Sequence, residues 1–149
     1  MTAAEHDLTR LLTGMEPELR PGRYVFTRAE RIPQGVHPIV TVAEDEALTI
    51  VCPQEQADAT GLPYDYVAAW ITLRVHSALH AVGLTATVAG VLAEADMSCN
   101  IVAGYYHDHL FVSHADGPRA VDLLRSVAAR SATGTVPPPY GPSGAISRS

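Results

Sequence analysis

Between Leu73 and Val112 the chain reads LRVHSALHAVGLTATVAGVLAEADMSCNIVAGYYHDHLFV, and this run restricts the fold more than any other stretch. It is entered by the longest β-forming segment, Val67 to Val75. There Ile71, Leu73 and Val75 point one way and Trp70, Thr72, Arg74 and His76 the other. Gly83 breaks the chain before an amphipathic helix. Leu84, Val88, Val91, Leu92 and Ala95 fall on one stripe of it, with Thr87, Glu94 and Asp96 away from that stripe. Ser98 to Tyr106 predicts a strand, His107-Asp108 a two-residue turn, and His109 to Ser113 the returning strand. Asp116, Gly117 and Pro118 open a last helix, capped by Asp116 or Gly117, with Val121, Leu124, Val127 and Ala128 as its apolar face.

Residues 67 to 130 therefore spell β-α-β-β-α, five of the six elements of the ferredoxin-like β-α-β-β-α-β plan. The sixth, an edge strand, is missing, and an unpaired sheet edge there is a liability. The simplest repair is a strand donated by the first half of the chain; a partner chain is the other source.

The first half reads helix, strand, strand, strand, helix. Leu8, Leu11, Leu12 and Met15 recur at helical spacing from a cap at Asp7, and Pro17, Pro21 and Gly22 then turn the chain. Strands are expected at Tyr24–Thr27, Ile39–Val42 and Leu48–Cys52, with Glu44-Asp45-Glu46 as a solvated hairpin turn. Pro53 opens a short helix to Thr60. The division expected is a half-domain over residues 1–65, a second over 66–131, and a tail over 132–149. That tail is too rich in Pro, Gly and Ser to offset its ordering entropy, and Pro137-Pro138-Pro139-Tyr140 reads as part of this flexible end.

Composition excludes several functions. With 47% hydrophobic and 17% charged residues the chain is globular, and its net charge of -6 argues against nucleic acid and against an anionic membrane surface. No segment approaches a membrane span and the start is not a signal peptide, so a cytoplasmic protein is expected. Cys52 and Cys99 lack C-x-x-C spacing and read as small buried hydrophobes. No phosphate loop appears, and His76 beside Ser77 on a strand faces the opposite way from it, so no enzyme and no cofactor are expected.

Ala81-Val82-Gly83-Leu84-Thr85-Ala86 followed by Val91-Leu92-Ala93-Glu94 resembles the ACT-domain pattern. The run from Ile71 to Val112 is similar to a family of small bacterial tandem-ACT proteins, themselves distantly similar to CASTOR-type arginine sensors. A weaker match from Leu11 to Pro53 is carried by Met15-x-Pro17-x-Leu19-x-Pro21-Gly22-x-Tyr24-Val25-Phe26 and Glu46-x-Leu48-Thr49. The resemblance implies an α+β fold of tandem ACT-like half-domains with an exchanged strand. It also implies a non-catalytic regulatory or sensor role, a small effector such as an amino acid, and a homodimer. Two positions depart from the pattern. Val82 stands where many ACT domains have Pro, and Ala81 where the arginine sensors have an acid, which speaks against cationic arginine.

The candidate ligand-binding residues are Val82, Gly83, Leu84, Thr85, Asn100, Gly104, Tyr105 and Asp108. A helix N-terminus at Gly83 offers unpaired N–H groups and partial positive charge to a carboxylate, though a tight turn alone also explains the glycine. Thr85 is a ligand contact or a cap. Asp108 suits a ligand ammonium, though an Asp is ordinary in a hairpin turn. Tyr105 would wall the pocket, and Asn100 in mid-strand wants a partner. His107 and His109 are an alternative metal pair without a third ligand at motif spacing. A ligand-free protein–protein interaction module is the remaining alternative.

Overall fold

The computed structural model describes residues 3–75 and 83–134. In chain order the elements are α1 (Ala3–Thr13), β1 (Glu16–Leu19), β2 (Tyr24–Ala29), β3 (Val40–Ala43), β4 (Leu48–Pro53), α2 (Gln54–Thr60), β5 (Val67–Arg74), α3 (Leu84–Glu94), β6 (Asn100–Ala103), β7 (Asp108–Ser113) and α4 (Gly117–Ala132). A 3-10 turn, His114–Asp116, leads into α4.

One seven-stranded sheet runs β3-β4-β2-β5-β7-β6, with β1 also on β5. β5 is the organising strand. One of its edges is taken along its length by β7. The other is divided: β2 places Tyr24 and Val25 opposite Ala68 and Val67, and β1 places Leu19 through Glu16 opposite Ile71 through Arg74. Between them the Arg20 N–H donates to the Trp70 carbonyl at 2.8 Å, and Gly22, at φ 101, turns the chain into β2. β5 thus serves as fourth strand beside β2 and as first strand of β5-α3-β6-β7-α4, whose missing last strand is β1.

The donated strand is therefore intramolecular and comes from the first half. Its identity was hidden by Pro17, which in the sequence marks a turn; an edge strand tolerates a residue without an N–H. The order helix, strand, strand, strand, helix expected for the first half lacks this element. Other boundaries differ as well. α1 begins at Ala3 and not at Asp7. The strand expected over 98–106 is only Asn100–Ala103. The hairpin turn is Gly104 to His107, closed by the Gly104 N–H donating to the His107 carbonyl at 2.8 Å, so Asp108 opens β7. α4 also runs on to Ala132, with the Ser131 hydroxyl donating back to Val127 O at 2.8 Å.

The main core lies between one face of β5, β6 and β7 and the helices α1, α3 and α4. Leu12, Ile71, Leu73, Leu92, Leu110 and Leu124 are buried there, and Leu8 and Met15 join from the chain's start. Thr87, expected away from the apolar stripe of α3, is buried on it. A smaller core joins α2 to β2 and β4 through Val25, Ile50, Cys52 and Ala57. Between β2 and β3 no helix forms; Val36, 4% exposed, fills part of that core from the loop. Among the described residues no helix covers the opposite sheet face. There Phe111 is fully buried beneath Phe26, edge-on at 5.5 Å, and Trp70, stacked at 6.4 Å.

Candidate functional site

The expected site lies where β5 ends and α3 begins. Gly83 caps α3 at φ 98, a conformation that disfavours any side chain, and no side chain caps the helix. Leu84 is buried in the main core, so only its backbone can reach a ligand. Thr85 is exposed and is not a cap. Val82 lies outside the described residues, as do Ala81, His76, His80 and the Pro137–Tyr140 step.

Asp108 sits opposite Leu73 of β5 on one side and Ala103 of β6 on the other. That register puts it at the end of the sheet where β5 leaves for α3, on the face shared with Leu73 and Leu110. Asp108 is thus at the Arg74 end of β5, and α3, which Gly83 opens, packs its Leu84 and Val88 into the core on that same face. Burial pushes the Asp108 carboxyl above the usual carboxylate range, against the pull of His109 and His107. Thr87, one turn into α3, donates its N–H to Gly83 O, while its buried hydroxyl has no hydrogen-bond partner among the described residues. Leu8 of α1 covers the cap: a Cβ on Gly83 would lie 3.1 Å from its Cδ2.

Three expected residues stand apart. Asn100 is exposed and opposite Phe111, on the face away from Asp108. Tyr105 is 82% exposed at the hairpin tip, edge-on to Tyr106 at 5.0 Å. Gly104 has a structural reason of its own, since a Cβ would lie 2.6 Å from the His107 carbonyl.

His107 lies near enough to act electrostatically on His109, which has partners of its own. His109 turns to the sheet face away from the main core, where its Nδ1 accepts from the Trp70 indole N–H at 3.1 Å and meets Thr72 Oγ1 at 3.2 Å. An indole is only a donor, so Nδ1 holds a lone pair. Arg20 lies 4.3 Å over the Trp70 ring and reaches Thr72 Oγ1 at 3.4 Å. Among the described residues no three His, Cys, Asp or Glu side chains gather to hold a metal. The sequence placed Trp70, Thr72 and His109 on strands, but the link to Arg20 across β1 could not be read without the strand exchange.

A β-α-β-β-α unit completed by a borrowed strand, and joined through β5 to a second, less complete unit, is a tandem ferredoxin-like fold. The chain belongs to the tandem ACT-domain proteins: ACT-domain models match residues 3–69 and 66–126. A Vibrio cholerae protein of unknown function, described as a possible transport protein, is 41% identical with a TM-score of 0.76, covering 85% of this chain and 99% of its own. An Agrobacterium tumefaciens protein is similar in fold (20% identity, TM-score 0.61, 76% and 89% covered). So is the regulatory subunit of Thermus thermophilus aspartate kinase in its ligand-free form (7%, 0.51, 74% and 95%). No curated protein matches the sequence. The fold and family make this a regulatory ACT protein, and among the described residues no helix is long and apolar enough to cross a membrane.

Proposed function

We propose that this protein is a non-catalytic sensor that binds a small zwitterion, an amino acid, between Gly83 and Asp108 at the Arg74 end of β5. The supporting observation is the register that sets Asp108 beside Leu73, at that end of β5 and on the face where α3 packs. The amides opening α3, from Gly83 to Thr85, would take the carboxylate, and Asp108 the ammonium. The Thr87 hydroxyl, buried and without a partner among the described residues, is a further polar group for the ligand. Entry requires the isobutyl end of Leu8 to swing aside, a motion of side-chain tips and not of backbone. In this reading the chain works as a cytoplasmic homodimer, with working halves 1–65 and 66–131 and the tail 132–149 outside both.

The test is a thermal-shift screen against the twenty amino acids, since a ligand of the native state raises the melting point. An amino acid that stabilises the wild type and not Asp108→Asn supports the site. The carboxyl's pKa is raised by folding, so charge at Asp108 costs stability as pH rises through that value. Asp108→Asn should therefore melt at or above the unliganded wild type, and loss of response cannot be put down to misfolding. A flat response to all twenty would favour the ligand-free interaction module.

A further inference from the structure

The division of β5 between two neighbours leaves a notch elsewhere in the sheet. β2 pairs with β5 only through Tyr24 and Val25; beyond them, residues 63–65 run beside β2 without strand pairing, held by a side-chain bond at Pro63. The result is a cleft of about 640 Å3 lined by Phe26, Thr27, Arg28, Glu44, Thr49, Pro63, Tyr64 and Asp65. The cleft is broad and open to solvent, with Arg28, Glu44, Pro63 and Asp65 of its lining exposed.

Most of its walls are fixed. The Thr27 hydroxyl donates to the Pro63 carbonyl at 2.6 Å and ties the 63–65 segment to β2. Tyr64 accepts from Gln54 Nε2 at 3.1 Å and donates to Asp58 Oδ1 at 2.6 Å. Thr49 donates to the Glu44 carboxylate, and Phe26 is wedged between Tyr66 and Phe111. Two lining side chains are not committed: neither Arg28 nor Asp65 makes a hydrogen bond or ion pair among the described residues. An aromatic and proline floor flanked by a free guanidinium and a free carboxylate is complementary to one kind of small molecule.

We propose that this cleft is a second effector site, distinct from the Gly83–Asp108 end, and that it takes an aromatic α-amino acid. The Arg28 fork meets the α-carboxylate, which a guanidinium can grip through two parallel hydrogen bonds. Asp65 meets the α-ammonium, and the ring lies against Phe26, Pro63 and Tyr64.

The experiment is titration of the full chain with L-phenylalanine, followed by amide chemical shifts and calorimetry. 3-Phenylpropionate, lacking the ammonium, and phenethylamine, lacking the carboxylate, are titrated in parallel. The expected result is saturable shifts at Phe26, Arg28, Tyr64 and Asp65, and at least tenfold weaker binding of each truncated probe. Arg28→Ala and Asp65→Asn should each weaken phenylalanine at least tenfold, while Asp108→Asn stays within twofold of wild type. Both cleft residues are exposed, so their variants should fold, and the unliganded melting point checks this. The proposal is overturned by no saturable binding, by shifts centred anywhere else including Gly83 and Asp108, or by cleft variants that bind as wild type does. Binding lost only in Asp108→Asn would retain the first site and eliminate this one.

Discussion

Trp70 and His109 are joined across the β5–β7 pair by an indole N–H donated at 3.1 Å to imidazole Nδ1, and this bond survives only while that nitrogen carries no proton. Burial, then His107 and Arg20, hold the His109 pKa below the usual imidazole value. Arg74 acts in the same sense and Asp108 against it. The folded protein thus resists a proton that the unfolded chain accepts near pH 6.5. Stability should be level above that pH and fall as pH drops through it toward the lowered folded value. Melting followed by fluorescence of Trp70, the only tryptophan, between pH 7.5 and 5 should show this loss, and His109→Gln should show less of it. Equal pH dependence in both would remove His109 from the account.

Two glycines should respond in opposite directions to alanine. At Gly90, inside α3, a Cβ meets nothing within 4 Å, so Gly90→Ala should stabilise by up to about 1 kcal/mol. At Gly104 the Cβ would strike the His107 carbonyl at 2.6 Å, and Gly104→Ala should destabilise. Urea denaturation midpoints of the two variants check the signs.

The chain's start belongs to the core of its far half. Leu12 is fully buried among residues of β5, α3 and α4, and Leu12→Ala should cost about 2–5 kcal/mol. Deleting residues 1–19 removes Leu8, Leu12 and Met15 together and bares β5 from Ile71 to Arg74. The summed loss approaches the whole stability of an ordinary domain, about 5–15 kcal/mol. The truncated chain should fail to give a cooperative unfolding transition by circular dichroism, whereas two independent halves would leave the second one folded.

Cys52 is fully buried, and burial pushes the Cys99 thiol up to about 11. Both thiols should react slowly with a disulfide reagent at pH 8 in the native protein and quickly once denatured, as measured by absorbance of the released thiolate.

Strand alternation from Val67 to Val75, the apolar stripe of α3, and the β-α-β-β-α order of the second half are local patterns, so the sequence carried them. The resemblance to ACT domains could be read from the same run. Local pattern also located Gly83 at a helix start, because a glycine before an amphipathic segment marks a break wherever it occurs.

What local pattern cannot express is who pairs with whom. Pro17 and Glu18 look like a turn until β5 offers them an edge, and only the register sends Asn100 and Asp108 to opposite faces. Leu8 over Gly83, and the notch beside Arg28, likewise exist only because β5 is shared between two neighbours. The period of a strand or helix is written into a dozen neighbouring residues. The meeting of residues 16–19 with 71–74 depends on the folding of everything between them.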